Sequence, residues 1–139
     1  MTEKELEKIF KQKNQKTKRK PNGKIVITPG FVEATVDQFY DWFKKSNFEK
    51  GCNYCGTTNE KSFELYNLQR TGKRHDATRG GKRSKRLELD RKDPSQPYDN
   101  LKNVVWCCYW CNNAKSNFFS KEEFEPIARS IGQAIKLIG

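Results

Sequence analysis

The chain of 139 residues is long enough for one domain with a modest hydrophobic core. A hydrophobic content of 34% and a mean hydropathy of −1.01 exclude a membrane protein, and without an apolar stretch as long as a membrane span or signal-peptide core we expect a cytoplasmic location. The 28 Lys and Arg residues outnumber the 17 Asp and Glu residues, so the net charge is +11 and the predicted partner is a polyanion.

Residues 1–24 are strongly basic and contain almost no apolar side chain after Phe10. Such a segment buries too little apolar surface to offset the entropy that ordering removes. We therefore predict a short Glu/Lys-rich helix that continues into a flexible arm over 1–24, followed by a folded domain over 25–139. The composition is compatible both with an arm that contacts phosphates and with a solubilising tail.

The next segment contains a short predicted strand and an amphipathic helix. Ile25–Ile27 is β-branched and precedes a Thr-Pro-Gly break. Thr35 and Gln38 then form a capping-box pattern, after which apolar residues recur at helical spacing. We predict a helix over Val36–Ser46 whose aromatic side chains lie in the core.

Two Cys-x-x-Cys pairs, Cys52 with Cys55 and Cys108 with Cys111, predict a metal centre. Two such pairs can surround one tetrahedral ion, and four thiolate ligands favour a closed, structural Zn²⁺ site. The alternative is a pair of disulfides, which is less typical of a chain without a secretion signal. The spacing and the alternation of the preceding strand direct Cys107 away from the metal.

The segment Arg70–Lys92 carries ten positive residues against three acidic ones, with Gly80-Gly81 as a predicted turn between strand arms. We predict that this segment binds nucleic-acid phosphates, although a solvated basic loop has the same composition. The predicted nucleic-acid-binding residues are Arg70, Lys73, Arg74, Arg79, Lys82, Arg83, Lys85, Arg86, Lys92 and, further along, Lys115.

The stretch from Leu87 to Asn117 predicts the order strand, loop, strand, helix. Alternation over residues 87–90 places the two leucines on one face and Glu88 with Asp90 on the other. Residues 104–106 form a second apolar run, joined to the first by a polar loop. The helix is predicted to begin near Asn112, so this order brings Asp90 and Asn112 together.

The C-terminal segment opens with a second capping-box pattern at Ser120 and Glu123. Because Pro126 is unfavourable inside a helix, we predict one turn over Lys121–Phe124, a break, and a helix from Pro126 to about Ile138. An isoleucine stripe on that helix faces either the core or a partner, which leaves a homodimer open.

Together these residues resemble the HNH, or ββα-metal, nucleases. In that family an Asp-His pair ends the first strand, an Asn precedes the second strand, and an Asn or His opens the helix after Cys-x-x-Cys. Asp90, Asn103 and Asn112 match the pattern, whereas Arg91 replaces the histidine, as in an Asp-Arg branch with members among restriction enzymes and small phage and bacterial proteins. The resemblance covers residues 51–124.

The resemblance implies a small single domain of the α+β class, with a ββα-metal core at about 86–119, a four-cysteine zinc site and flanking helices. It also implies an endonuclease that hydrolyses DNA, double-stranded in our expectation, with Mg²⁺ or Mn²⁺. Asp90 and Asn112 would hold the catalytic ion, Asn103 would fix the loop, and Arg91 would clamp a phosphate.

The general base remains open because arginine stays protonated. His75 is the sole histidine and titrates in the useful range, but its position is also typical of an exposed loop residue. Tyr98, Tyr54 and a metal-bound hydroxide are the alternatives. The competing function is a non-catalytic, zinc-dependent nucleic-acid-binding module.

Overall fold

The structure is a computed structural model that describes residues 1–77 and 83–139. In these two ranges the chain forms five α-helices and four β-strands. They are α1 (Glu3–Gln12), β1 (Lys16–Arg19), β2 (Ile25–Thr28), α2 (Val36–Lys44), α3 (Asn59–Arg70), β3 (Glu88–Arg91), β4 (Val104–Cys107), α4 (Tyr109–Lys115) and α5 (Lys121–Lys136). The α+β class is confirmed. The predicted turn at Gly80-Gly81 lies outside the described residues.

The N-terminal segment differs from the predicted flexible arm. The Glu/Lys-rich helix is present as α1, and a capping box between Thr2 and Glu5 caps its N-terminus. Its apolar face is buried, however, with Leu6 and Ile9 in the core. The ring of Phe10 stacks on Phe31 with centroids 4.9 Å apart. Residues beyond α1 form the β1–β2 hairpin. Three apolar residues at helical spacing are thus enough to fix α1 to the core of the domain.

The aromatic side chains of α2 hold this helix against β4, as expected for core residues. Phe39 is completely buried and stacks on Trp42, whose ring lies 5.5 Å from that of Trp106. Nε1 of Trp42 donates a hydrogen bond to the carbonyl oxygen of Val104 at 3.3 Å. Helix α2 ends two residues earlier than the predicted Ser46.

Strands β3 and β4 pair in antiparallel orientation, with Leu89 opposite Trp106 and Asp90 opposite Val105. Helix α4 follows β4 directly and packs on β3. It begins at Tyr109, earlier than the predicted start at Asn112, because the sulfur of Cys108 caps it by accepting the N–H of Cys111 at 3.4 Å. The predicted order of strand, loop, strand and helix is confirmed.

Helix α5 runs without the predicted break at Pro126, and this prediction was wrong. The proline removes one backbone hydrogen bond near the helix start, and the buried side chains of Phe124 and Ala128 on either side hold the helix on the core. Helix α3, to which the sequence assigned no element, is capped by Thr58. Within the described ranges, no helix has both the length and the apolar character that crossing a membrane requires.

Candidate metal centre and active site

The four cysteines of the two Cys-x-x-Cys pairs converge on one point. Their sulfur atoms lie within 4.8 Å of one another, and those of Cys55 and Cys108 are 3.6 Å apart. Four thiolates at about 2.3 Å from a tetrahedral zinc would be about 3.8 Å apart, so the residues present fit such an ion. The cysteines are therefore placed to hold a metal ion. Cys107 is buried opposite Glu88 on β3 and is not part of this cluster.

The four sulfurs of the cluster share protons unevenly because they contact one another. Hydrogen bonds from the thiols of Cys108 and Cys111 hold the pKa of Cys55 well below the ordinary thiol range. Hydrogen bonds with Cys108 and the other sulfurs raise the pKa of Cys111, since its proton is shared with neighbouring sulfurs. Four adjacent sulfurs cannot all lose their protons unless a positive ion compensates the charge.

The first cysteine pair lies in a tight turn that is joined to the rest of the fold. The N–H of Cys52 donates to the carbonyl of Thr57 at 2.8 Å, and that of Asn53 donates to the carbonyl of Trp106 at 2.8 Å. Gly132 of α5 packs on the same turn, where an added Cβ would lie 2.9 Å from the carbonyl oxygen of Cys55. The metal centre therefore connects β4, α4 and α5.

Asp90 of β3 is buried and held by two donors on α4 and the cysteine turn. Its Oδ2 atom accepts a hydrogen bond from the Tyr54 hydroxyl at 2.7 Å and lies 3.1 Å from Nζ of Lys115. The side chain of Lys115 is 0% exposed, and its Nζ also donates to the carbonyl oxygen of Arg91 at 2.7 Å. These contacts hold the carboxylate in one orientation.

Asn112 lies one turn before Lys115 on α4 and contacts the neighbouring carboxylate of β3. Its Nδ2 donates to Oε1 of Glu88 at 2.9 Å. Because a carboxylate only accepts hydrogen bonds, this contact orients the amide nitrogen toward Glu88 and the amide oxygen away from it. Glu88 also accepts a hydrogen bond from Nε of Arg83 at 3.0 Å.

The remaining oxygen atoms of this site suit a hard divalent cation. Among the described residues, no hydrogen bond reaches Oδ1 of Asp90 or Oδ1 of Asn112. Carboxylate and amide oxygens are ligands for Mg²⁺ and similar ions, and a small number of protein ligands leaves positions for water and phosphate. The chemistry of these donors thus suits the predicted catalytic ion, while the second carboxylate oxygen of Asp90 is held by Tyr54 and Lys115.

The ring of Tyr98 lies beside this site and is contacted by two cationic side chains. The guanidinium carbon of Arg91 lies 4.8 Å from the ring centroid, and Nζ of Lys13 lies 4.4 Å from it. Burial lowers the pKa of Lys13, and the nearby carboxylate of Asp90 partly offsets that effect. Lys13 also lines a cavity of about 180 Å³ together with Asn112. The N-terminal segment thereby contributes a cation to the site.

Arg91 and Asn103 each make two side-chain hydrogen bonds. Arg91 donates to the carbonyl oxygen of Gln96 at 3.1 Å and to Oδ1 of Asn117 at 3.3 Å. Arg91 is buried, with 8% of its surface exposed, and these two contacts leave other N–H groups of its guanidinium unused. Asn103 accepts the N–H of Asp93 at 3.0 Å and donates to its carbonyl at 2.9 Å, which fixes both ends of the loop between β3 and β4.

The candidate general bases occupy different environments. His75 is exposed in the segment that follows α3. Burial, with a further contribution from the Asp90 carboxylate, raises the pKa values of both Tyr54 and Tyr98 above the ordinary phenol value. The two phenols are therefore protonated at neutral pH.

The predicted nucleic-acid-binding residues do not all reach the surface. Arg70, Lys73, Arg74 and Lys85 are exposed, and Arg83, Arg86 and Lys92 are half-buried, while Arg79 and Lys82 lie outside the described residues. The assignment of Lys115 to this surface is corrected, because its ammonium is buried against Asp90. Arg83, Lys85 and Arg86 line a groove of about 790 Å³ that ends at Glu88.

Two residues of the site were not identified as site residues from the sequence. Alternation along β3 places Glu88 on the same face as Asp90, and this pattern could have identified Glu88 as a residue of the site. Lys13 had no such signal, because its position beside Tyr98 depends on the packing of α1 and Phe31.

A β3–β4–α4 unit beside a four-cysteine centre is the arrangement of the ββα-metal, or HNH, endonucleases. Among solved structures, the chain is similar to that of the rare-cutting HNH restriction endonuclease PacI, with 28% sequence identity and a TM-score of 0.56. The match covers 75% of this chain and 66% of that one. No family model and no curated protein matches the sequence. The resemblance to the HNH nucleases that the sequence indicated is confirmed.

Proposed function

We propose that the chain is a divalent-metal-dependent HNH endonuclease that hydrolyses phosphodiester bonds in double-stranded DNA. The observation that carries the proposal is the pair of available oxygen atoms on Asp90 and Asn112, which lie on the packed elements β3 and α4. The likeness to a restriction endonuclease gives independent support.

In this proposal Asp90 and Asn112 hold Mg²⁺ or Mn²⁺. Such an ion supplies charge neutralisation at the scissile phosphate and the leaving oxygen. The other groups position these two ligands: Tyr54 and Lys115 orient the carboxylate, and Glu88 orients the amide. Positioning of this kind reduces the reorganisation that the site needs during the reaction.

The cations around Tyr98 bind the substrate in this proposal. Arg91 has N–H groups that could bind a phosphate oxygen. The ammonium of Lys13 also contacts the ring of Tyr98 and provides a second positive charge. Lys85 and the partly buried Arg83 and Arg86 extend the positive surface along the groove toward α3. Acidic residues also line that groove, so a phosphate backbone would be attracted to its basic part and repelled from its acidic part.

The four-cysteine centre holds Zn²⁺ in this proposal, with a structural role. All four positions of a tetrahedral ion are occupied by sulfur, which leaves none for water or substrate. The general base stays open among His75, Tyr98, Tyr54 and a hydroxide on the catalytic ion. The possibility of a homodimer rests on the isoleucine stripe of α5, where Ile127 is 38% exposed, and sedimentation of the purified protein tests it.

The decisive experiment is cleavage of supercoiled plasmid by the purified protein with and without Mg²⁺ or Mn²⁺. We expect nicked or linear products only with the ion. Asp90→Ala should abolish cleavage and, at a temperature where circular dichroism shows that it is still folded despite the unpaired Lys115, leave binding to a DNA duplex intact, since the phosphate contacts come from basic side chains. Asp41→Ala, which removes an exposed carboxylate from α2, is the control and should cleave like the parent.

The same assay separates the alternatives. A parent protein that binds duplex DNA but never cleaves it would support the non-catalytic binding module, which the Lys115–Asp90 ion pair and the missing histidine also favour. If His75 is the base, His75→Ala should lose cleavage and Arg91→His should partly restore it. Normal cleavage by His75→Ala would move the assignment to a tyrosine or to the metal.

A further inference from the structure

The β1–β2 hairpin is a two-stranded ribbon that extends from the domain. At the centre of the ribbon Lys18 pairs with Val26. Val26 is half-buried, and the other residues of the two strands are exposed. The root of the ribbon is fixed by the N–H of Phe31, which donates to the carbonyl of Lys13 at 2.9 Å. Gly30 permits this approach, because an added Cβ would lie 2.1 Å from that carbonyl oxygen.

The tip of the ribbon is an ordered turn. The N–H of Lys20 donates to the carbonyl of Lys24 at 2.8 Å, and the N–H of Gly23 donates to the carbonyl of Lys20 at 2.9 Å. Gly23 has a φ of +83°, and Oδ1 of Asn22 accepts the N–H of Lys24 at 3.0 Å. A turn closed by a left-handed glycine fixes the register of the strands, so the ribbon is presented as one unit.

The two faces of the ribbon differ in chemistry. Side chains of paired residues share a face, which places Ile25 and Ile27 with Thr17 and Arg19 on one face. The two isoleucines are 53% and 58% exposed. Residues 14–32 contain five Lys or Arg residues and no Asp or Glu, namely Lys16, Lys18, Arg19, Lys20 and Lys24.

An isolated two-stranded ribbon is marginally stable in water, and exposed isoleucines and unpaired strand edges add to that cost. A partner that covers the apolar face and accepts positive charge would therefore stabilise it. A second copy of the ribbon would oppose five positive charges with five more, which disfavours pairing between copies.

We propose that this ribbon occupies the major groove of duplex DNA, an inference that rests on the proposed DNA substrate. Two strands about 4.8 Å apart with their side chains fit a groove about 12 Å wide but not the minor groove of about 6 Å. The face with Ile25 and Ile27 lies toward the base edges, where apolar side chains contact thymine methyl groups. The lysines of the ribbon reach the phosphates on either side.

The position of the root agrees with this role. Phe31 packs edge-on against Tyr98 with ring centroids 5.9 Å apart, and Tyr98 also contacts Arg91 of the candidate active site. The root of the ribbon is therefore joined to the proposed catalytic residues through Tyr98. The ribbon is a binding element additional to the basic segment that precedes β3.

The test compares two variants that remove four positive charges each. One replaces the ribbon lysines by glutamine, at Lys16, Lys18, Lys20 and Lys24; the matched control replaces four exposed lysines elsewhere, Lys44, Lys45, Lys50 and Lys136. Affinity for a 40-base-pair duplex is measured at several salt concentrations. We expect the ribbon variant to bind at least about tenfold more weakly, with a salt slope reduced by about 3, and the control to change much less.

Methylation of the bound duplex by dimethyl sulfate locates the ribbon. Guanine N7 lies in the major groove, so the parent should protect guanines that Ile25→Ser/Ile27→Ser leaves reactive. Equal losses in both lysine variants, unchanged guanine reactivity, or a parent dimer that the ribbon variant dissociates would each overturn the inference. A parent that binds no duplex would overturn the proposed function as well, whereas a parent that cuts DNA with no help from the ribbon would overturn this inference alone.

Discussion

The buried ion pair between Lys115 and Asp90 illustrates what single residues contribute to this site. The sequence identified Asp90 and Asn112 because the end of a strand and the start of a helix can be inferred from local patterns. It did not reveal that Lys115 turns inward, since this depends on the packing of α4 on β3. An ammonium that is 0% exposed stabilises the fold only through its two acceptors, the carboxylate and the carbonyl of Arg91.

Replacing Lys115 by methionine should therefore destabilise the protein without removing a DNA contact. Removing one partner of a buried ion pair leaves the other charge uncompensated, so we expect a loss of about 3 kcal/mol in the free energy of unfolding. Lys85→Met is the matched variant, because Lys85 is exposed beside the groove. It should change stability by less than about 0.5 kcal/mol and weaken DNA binding.

Urea denaturation and duplex binding distinguish the two lysines. The prediction fails if Lys115→Met keeps the stability of the parent and binds DNA less tightly, since the Lys115 ammonium would then contact phosphate in the parent.

Glu88 shows in the same way how far local patterns predict a contact. Alternation placed it beside Asp90, but its contact with Asn112 required the register between a strand and a helix that are distant in sequence.

At the scale of elements, the helices and strands with strong local signals were predictable. The capping boxes at Thr35 and Ser120 marked the starts of α2 and α5 correctly. The error at Pro126 arose because a local rule omits the packing of Phe124 and Ala128, which holds the helix together. Residues 1–24 differ from the predicted arm for the same reason, since the apolar face of α1 is buried only in the folded domain, where Phe10 meets Phe31 and Phe39.

The packing of α5 on the cysteine turn makes Gly132 a sensitive position. A glycine inside a helix usually costs about 1 kcal/mol relative to alanine, so Gly132→Ala would stabilise an isolated helix. Here the new Cβ would lie 2.9 Å from the carbonyl oxygen of Cys55 and 3.3 Å from its Cβ. Because both atoms belong to the metal-binding turn, we expect a net loss of about 1–2 kcal/mol and weaker metal retention.

Ser130→Ala serves as the control for this prediction. It adds a better helix former at an exposed position of α5 and should leave stability unchanged or slightly raised. Thermal denaturation and metal content after dialysis against a chelator measure both effects. A Gly132→Ala variant that is more stable than the parent would mean that α5 does not pack closely against the cysteine turn at Cys55.

At the scale of the whole molecule, the sequence predicted the architecture because the cysteine spacing, the strand at Asp90 and a helix that contains Asn112 all support one topology. What it could not supply is the joining of distant parts. Asp99 accepts the N–H groups of Val32, Glu33 and Ala34 at 2.8–3.3 Å, which connects the loop before β4 to the segment that follows the hairpin. Contacts of this kind depend on the completed fold.

The metal centre has the largest effect at this scale, since it joins the first cysteine turn to α4. Structural zinc contributes on the order of 10 kcal/mol to small domains, comparable to their whole stability. Cys108→Ser removes a ligand but keeps a cap for α4, since a serine hydroxyl can accept the N–H of Cys111, so we expect loss of the metal and cooperative unfolding through the metal alone. Chelation of the parent should have the same result, followed by circular dichroism and by metal analysis.

Cys107→Ala is the matched control, because Cys107 is the neighbouring cysteine and is equally buried but lies outside the cluster. Its loss should cost about 1 kcal/mol through packing alone, with one metal ion per chain retained. If Cys107→Ala releases the metal while Cys108→Ser keeps it, the two cysteines have exchanged roles and the strand register around β4 must differ. If the parent folds and remains folded without any metal, hydrophobic packing of the aromatic core between α2 and β4 is sufficient for the fold, and the centre serves another purpose.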